Sequence, residues 1–169
     1  EFLDLIGDFT SKMLKEAEKG RVCFDDIKTE IENCHTKLDK LSLKFLTTAE
    51  YLYQSYKGTQ IDYAPIIVEY CKAIETELNR HFSTSNWIKG YNKYKGKYTL
   101  GAFQKALESM KQRNLQQQTL FKYLSELVTY RNGSAHTGYA NLEKTQYVRA
   151  ILFEKGLINF LDNIGNSDV

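Results

Sequence analysis

The fold is decided by the stretch Thr119–Gly138, TLFKYLSELVTYRNGSAHTG. Leu120, Phe121, Leu124, Leu127 and Val128 recur at helical spacing and form one buried stripe. The next position on that stripe is Arg131, so a seam of leucine and valine ends in a guanidinium. Asn132-Gly133 follow, and because glycine tolerates the left-handed conformation that stops a helix, the helix is expected to break there. Beyond the break stands His136, the side-chain type that titrates near neutral pH. A cation at the end of a buried face, beside a titratable imidazole, marks a candidate site.

The same period recurs on both sides of this stretch. Leu3–Lys19 reads as a helix stopped by Gly20, and Asp25 or Asp26 is expected to cap a second helix to about Leu41. Phe45, Leu46, Ala49, Leu52, Tyr53 and Tyr56 make a wide stripe ended by Lys57-Gly58. Asp62 with Pro65 signals a new start, and Ile67, Cys71, Ile74, Leu78 and Phe82 mark its inner face, with Glu75 beside the seam. Ser83–Tyr98 has no clean period and reads as a loop. Thr99 is placed to cap a helix that turns Leu100, Phe103, Ala106, Leu107 and Met110 inward. Arg113–Gln118 reads as a polar connection. A last helix is expected from about Glu143 to Asn163, with Tyr147, Ile151, Leu152, Ile158 and Leu161 in the core. No segment alternates like a strand and no repeat appears. The expectation is an all-α bundle of about six helices. It divides into an N-terminal helical extension at residues 1–40, the end of an upstream region, and a bundle at 41–169.

The 169 residues suffice for one well-cored domain, and the single proline suits long helices. No apolar run is long enough to span a bilayer, and no stretch has the order of a signal peptide. Three cysteines, odd in number and scattered, favour reduced thiols and a cytoplasmic setting. Net charge is only +2, but Leu78–Leu107 contains no acid while Arg80, Lys89, Lys93, Lys95, Lys97 and Lys105 fall inside it. Such a local basic field suits a phosphate-bearing partner. Within it, Asn86–Tyr98 alternates cations (Lys89, Lys93, Lys95, Lys97) with aromatics (Tyr91, Tyr94). Cations hold phosphates and aromatic faces stack on bases, so the loop suits single-stranded RNA; the alternative is a solvated loop with Trp87 tucked into the core. Gly90–Lys97 is not a phosphate loop, because its glycines are wrongly spaced and Tyr98 stands where a magnesium-binding hydroxyl is needed. His35 and His81 stand alone, so no metal and no cofactor are expected, and no serine or cysteine catalytic motif occurs.

The order Arg131-Asn132-x-x-Ala135-His136 resembles the Arg-x4-His signature of the HEPN family (higher eukaryotes and prokaryotes nucleotide-binding domains). Ala49-Glu50-Tyr51-Leu52, Val68–Glu75 and Thr99-Leu100-Gly101 fit the same family in order, over about residues 41–163. The resemblance implies a four-helix core with added N-terminal helices, and a metal-independent ribonuclease whose composite cleft is shared by two protomers. It implies RNA and a second copy of the chain as partners, no membrane, a role as a toxin or antiviral defence effector, and an antitoxin or regulatory partner. Some members instead carry a modified tyrosine two residues after the histidine; that position here is Gly138.

The chemistry also stands on the residues. RNA brings its own nucleophile, the ribose 2′-hydroxyl. An imidazole near its ordinary pKa of about 6.5 can take that proton or protonate the leaving oxygen. A guanidinium offers a planar fork to the phosphate as charge builds. Asn132 is placed to bind the phosphate or orient His136, and Glu75 to hold Arg131. The rival readings are a non-catalytic module for dimerisation, nucleotide binding or partner binding, and a plain helix end where a cation meets the dipole.

Overall fold

A helix that is apolar around most of its circumference must be surrounded, and residues 64–82 form that helix. The computed structural model describes residues 20–136 and 138–164, so the expected Leu3–Lys19 helix lies outside them. Among the described residues the order is α1 (Phe24–Cys34), α2 (Lys40–Tyr56), α3 (Ala64–Phe82), α4 (Leu100–Ser109), α5 (Leu115–His136), α6 (Leu142–Leu152) and α7 (Leu157–Asn163). The expected all-α bundle is what forms, and the only β pairing among the described residues is an isolated bridge, Tyr94 to Lys97. α3 buries Ile66, Ile67, Tyr70, Cys71, Ala73, Ile74, Leu78 and Phe82, and α2, α4, α5, α6 and α7 all pack on it. α1 packs on α2, and its Ile27 and Ile31 join the same core across the expected division at residue 40. No helix among the described residues is long and apolar enough to cross a membrane.

Several helix starts follow the sequence. Thr99 accepts the Ala102 N–H, Asn141 the Lys144 N–H and Asp39 the Leu41 N–H, while Pro65 sits in the first turn of α3. Three boundaries differ. The expected second helix stops at Cys34 rather than Leu41. There the backbone N–H groups of Lys37 and Asp39 go to the carboxylates of Asp162 and Glu77, both at 2.8 Å, instead of to a helical ladder. Asp25 and Asp26 sit in the first turn of α1, and Cys23 takes the cap position without a side-chain bond. α5 begins at Leu115, inside the stretch expected to be a connection. Asn114 and Gln117 form a reciprocal capping box, with N–H to carbonyl distances of 3.0 and 2.8 Å. The expected last helix splits in two: α6 closes at Phe153, and Gly156, with a φ of 86°, takes the cap position that opens α7. Within α6, Tyr147 is not core but 39% exposed, its hydroxyl reaching Glu126, while Thr145 and Val148 are buried.

Candidate functional site

α5 does not break at Asn132-Gly133. Gly133 has no positive φ and open space where a Cβ would stand, so it remains in the helical ladder and only lowers helix propensity, by about 1 kcal/mol. The helix therefore runs on to His136. The side chains of residues 135 and 136 lie outside the described residues, so His136 is placed by its backbone alone. In a regular helix, positions four apart share a face and positions five apart diverge by about 140°. Position 132 thus lies one turn below position 136, and position 131 points elsewhere on the circumference.

Arg131 is half-buried, and Nη1 lies 3.4 Å from Oδ1 of its neighbour Asn132, which is exposed. It reaches the surroundings of Cys71: burial pushes that thiol up to about 12, while the Arg131 charge pulls it down and Glu75 pushes it up. No ion pair joins Arg131 and Glu75 among the described residues, for Glu75 Oε2 accepts the Leu100 N–H at 2.9 Å and so anchors the start of α4.

The segment after the helix is held by two devices that the sequence reading did not register. Asp62 Oδ1 accepts both the Ala64 and the Ala140 N–H groups at 3.0 Å, which holds its carboxyl below the usual range. The Tyr63 N–H donates to the Ala140 carbonyl at 2.9 Å. Asp62 was legible as a helix-start signal, but its second bond spans 78 residues of chain. Gly138 is the other device: a Cβ there would stand 1.7 Å from the Gly133 carbonyl oxygen. The chain folds back on the end of α5 so closely that no side chain fits at 138, and Tyr139 projects with 61% exposure.

The basic loop divides into a packed half and a presented half. Trp87 lies between Phe82 and Phe103, at ring distances of 5.5 and 5.9 Å. Tyr91 is half-buried and its hydroxyl bonds Lys105 and Ser109 on α4. Lys89 reaches Asn86 at 3.0 Å. Beyond them Tyr94 and Lys97 exchange both backbone hydrogen bonds, and Lys95 (φ 49°) and Gly96 (φ 79°) form the turn between. Two positive φ values in a two-residue turn make a small hairpin of the type that matches strand twist. It presents Lys93, Lys95, Lys97 and Tyr94, the last 67% exposed. Lys93 and Lys97 line a groove that also takes in Arg80 and Ser83 at the end of α3.

A second cluster joins two of the quoted stretches. Glu50 of α2 is 4% exposed; it accepts the Tyr70 hydroxyl at 2.5 Å and two Arg149 N–H groups at 2.8 and 3.1 Å. Burial alone would lower the Arg149 pKa, but Glu50 outweighs it and holds the guanidinium charged. The only sequence signal was a carboxylate on an apolar stripe. Among the described residues, no three His, Cys, Asp or Glu side chains are gathered to hold a metal ion.

No family model, curated protein or solved structure matches this chain.

Proposed function

We propose that the chain is a metal-independent endoribonuclease domain of HEPN type, acting as a homodimer on RNA. The observation that carries the reading is the end of α5, where Arg131 is held by no ion pair among the described residues and shares the closing turns with Asn132 and position 136. In this mechanism His136 takes the proton of the ribose 2′-hydroxyl, the 2′-oxygen attacks the adjoining phosphorus, and the 5′-oxygen leaves with the proton returned by the imidazolium. Arg131 and Asn132 donate to the phosphate oxygens as charge builds there. Two copies packed through this end would form the composite cleft that the resemblance to HEPN ribonucleases implies. The hairpin with Lys93, Lys95, Lys97 and Tyr94 holds the strand by charge and stacking. The toxin or defence role, the cytoplasmic setting and a regulatory antitoxin complete the proposal.

The second reading is a non-catalytic module for dimerisation or for a nucleotide or protein partner. It is favoured by Glu75, which serves the start of α4 rather than Arg131. Incubating labelled RNA with the protein in excess EDTA, beside His136→Ala, separates the two. Cleavage by wild type and not by the variant supports the enzyme; no cleavage by either supports the module.

A further inference from the structure

A groove of about 550 Å³ runs along α1 and α2 alone. Its α1 side is Phe24, Asp25, Lys28 and Glu32, and its α2 side is Lys40, Leu43, Lys44 and Thr47. The Phe24 ring meets Tyr51 edge-on at 5.7 Å yet is 39% exposed, so part of an aromatic face stays uncovered. Lysine stems add apolar surface beside it and keep their charges at the rim. Phe24 begins α1 and Tyr51 lies late in α2, so the two helices run antiparallel and Lys40 stands beside the end of α1. The charge along the groove is therefore graded. Asp25 stands at one end; Lys40 and Lys44 stand toward the other, beside Glu32, which pairs with Lys28 at 3.8 Å.

The chain itself supplies a segment of matching pattern. Residues 1–19 lie outside the described residues and join α1 through 20–23. In the helical reading of Leu3–Lys19, Leu5, Ile6, Phe9, Met13 and Ala17 fall on one stripe, while Asp4, Asp8, Lys15 and Glu18 fall away from it. The connection at 20–23 has the length, about 2–5 residues, that joins antiparallel neighbours in helical hairpins. Val22 within it packs against the core. A segment returning along α1 in that sense brings Ala17 toward Phe24 and the residues before Lys12 toward Lys40 and Lys44. Glu1, Asp4 and Asp8 are the charged residues before Lys12, all acids, and Lys15 and Lys19 fall at the Asp25 end. The lengths also agree: Phe24 to Glu32 is about 12 Å of helix, and the stripe from Leu5 to Ala17 about 18 Å. We propose that residues 3–19 form a helix that occupies this groove antiparallel to α1 in the same chain. So short a tether holds the segment at a high effective concentration, which favours it over the same segment of a second copy. Residues 3–19 then belong to the bundle rather than to an upstream region, and this stands independently of the RNA reading.

The test is hydrogen exchange read by mass spectrometry on the intact chain. An isolated helix of this length is marginal in water, so protection requires a partner surface. Amides of residues 5–17 are expected to exchange at least about tenfold more slowly than in the same segment as a free peptide. Phe9→Asp, on the stripe, and Phe24→Asp, on the groove, should each return the segment to the free-peptide rate. Ser11→Asp, opposite the stripe, should leave the protection in place. Amides of α3 report the fold and should stay protected in all three variants. If Phe24→Asp also exposes α3, Phe9→Asp decides alone. Free-peptide rates in the wild type, or protection unchanged by Phe9→Asp, overturn the proposal. Protection that survives Phe24→Asp with α3 intact puts the segment elsewhere, and protection that fades on dilution gives the groove to a second copy; either result overturns it as well.

Discussion

Arg149 and Arg131 stand on consecutive helices and are treated in opposite ways. Arg149 is clamped by a buried carboxylate that also takes a hydrogen bond from buried Tyr70, and it is flanked by two aromatic rings. Arg131 ends a seam of leucine and valine, yet its hydrogen-bonding partner among the described residues is the adjoining Asn132, at 3.4 Å. The difference teaches how to sort the arginines of a helical bundle. One whose donors are taken by a buried carboxylate ties helices together, because losing it strands a charge. One whose donors remain uncommitted at a helix end, where the dipole already favours a cation, keeps them for an outside anion.

The largest expected effect is on stability. Arg149→Ala leaves Glu50 charged and buried and should cost about 3–5 kcal/mol in chemical denaturation. Arg131→Ala should stay within about 0.5 kcal/mol of wild type, as substitutions away from buried networks do. Equal losses would erase the distinction between the two.

The next effect concerns what holds the Arg131 end in place. Gly138→Ala puts a methyl on the Gly133 carbonyl and must push the returning chain off the end of α5. A loss of about 1–3 kcal/mol is expected, together with reduced RNA cleavage. A variant with wild-type thermal midpoint and wild-type activity would show that the tight return is not needed.

Replacing Lys93, Lys95 and Lys97 together with Ala should lower the salt slope of RNA binding by about 2, three single-strand phosphate contacts at roughly 0.7 each. The thermal midpoint should hold, since these residues are exposed on the hairpin. An unchanged slope removes the hairpin from the binding surface and leaves Arg131 without its supporting field.

The smallest effect belongs to the Arg149 side. His35 shares a cavity of about 240 Å³ with Arg149, Glu50, Glu30 and Cys34, and its Nδ1 is buried without a partner. Burial pushes its pKa below the ordinary 6.5, and Asp162 only partly offsets this. A histidine whose pKa falls on folding binds its proton more readily when unfolded. Its contribution is complete above about 6.5 and declines as pH falls through that value. Denaturation at pH 7 and at pH 5 should show a drop that His35→Gln reduces; an identical drop in the variant would assign it elsewhere.

Much of the fold was legible because its signals are local. The Thr99 cap, Pro65 and the stripe of α3 each depend on residues within a turn or two. What escaped the sequence depends on distant partners. Nothing near Lys37 and Asp39 announces that Asp162 will take the first backbone N–H and Glu77 the second, and that α1 ends early. Gly133 and Gly156 are the same residue in similar polar settings, yet one continues a helix and the other, at a φ of 86°, divides two. Asn114 and Gln117 did carry a local signal, a capping box, hidden by the polarity of the stretch around it. At the site, Arg131 was legible as a cation ending an apolar seam. The roles of Glu75, Asp62 and Gly138 were not, since each is set by a bond or close approach to another segment.

The central claim is that the end of α5 cleaves RNA through the ribose 2′-hydroxyl, and product analysis in excess EDTA tests it most directly. Wild type is expected to leave a 2′,3′-cyclic phosphate and a free 5′-hydroxyl, and to spare a substrate with 2′-deoxyribose at the scissile nucleotide. Arg131→Ala and His136→Ala should each lose about a hundredfold or more in rate with their helical circular dichroism intact. A 5′-phosphate product, or cleavage of the 2′-deoxy substrate, would contradict the account.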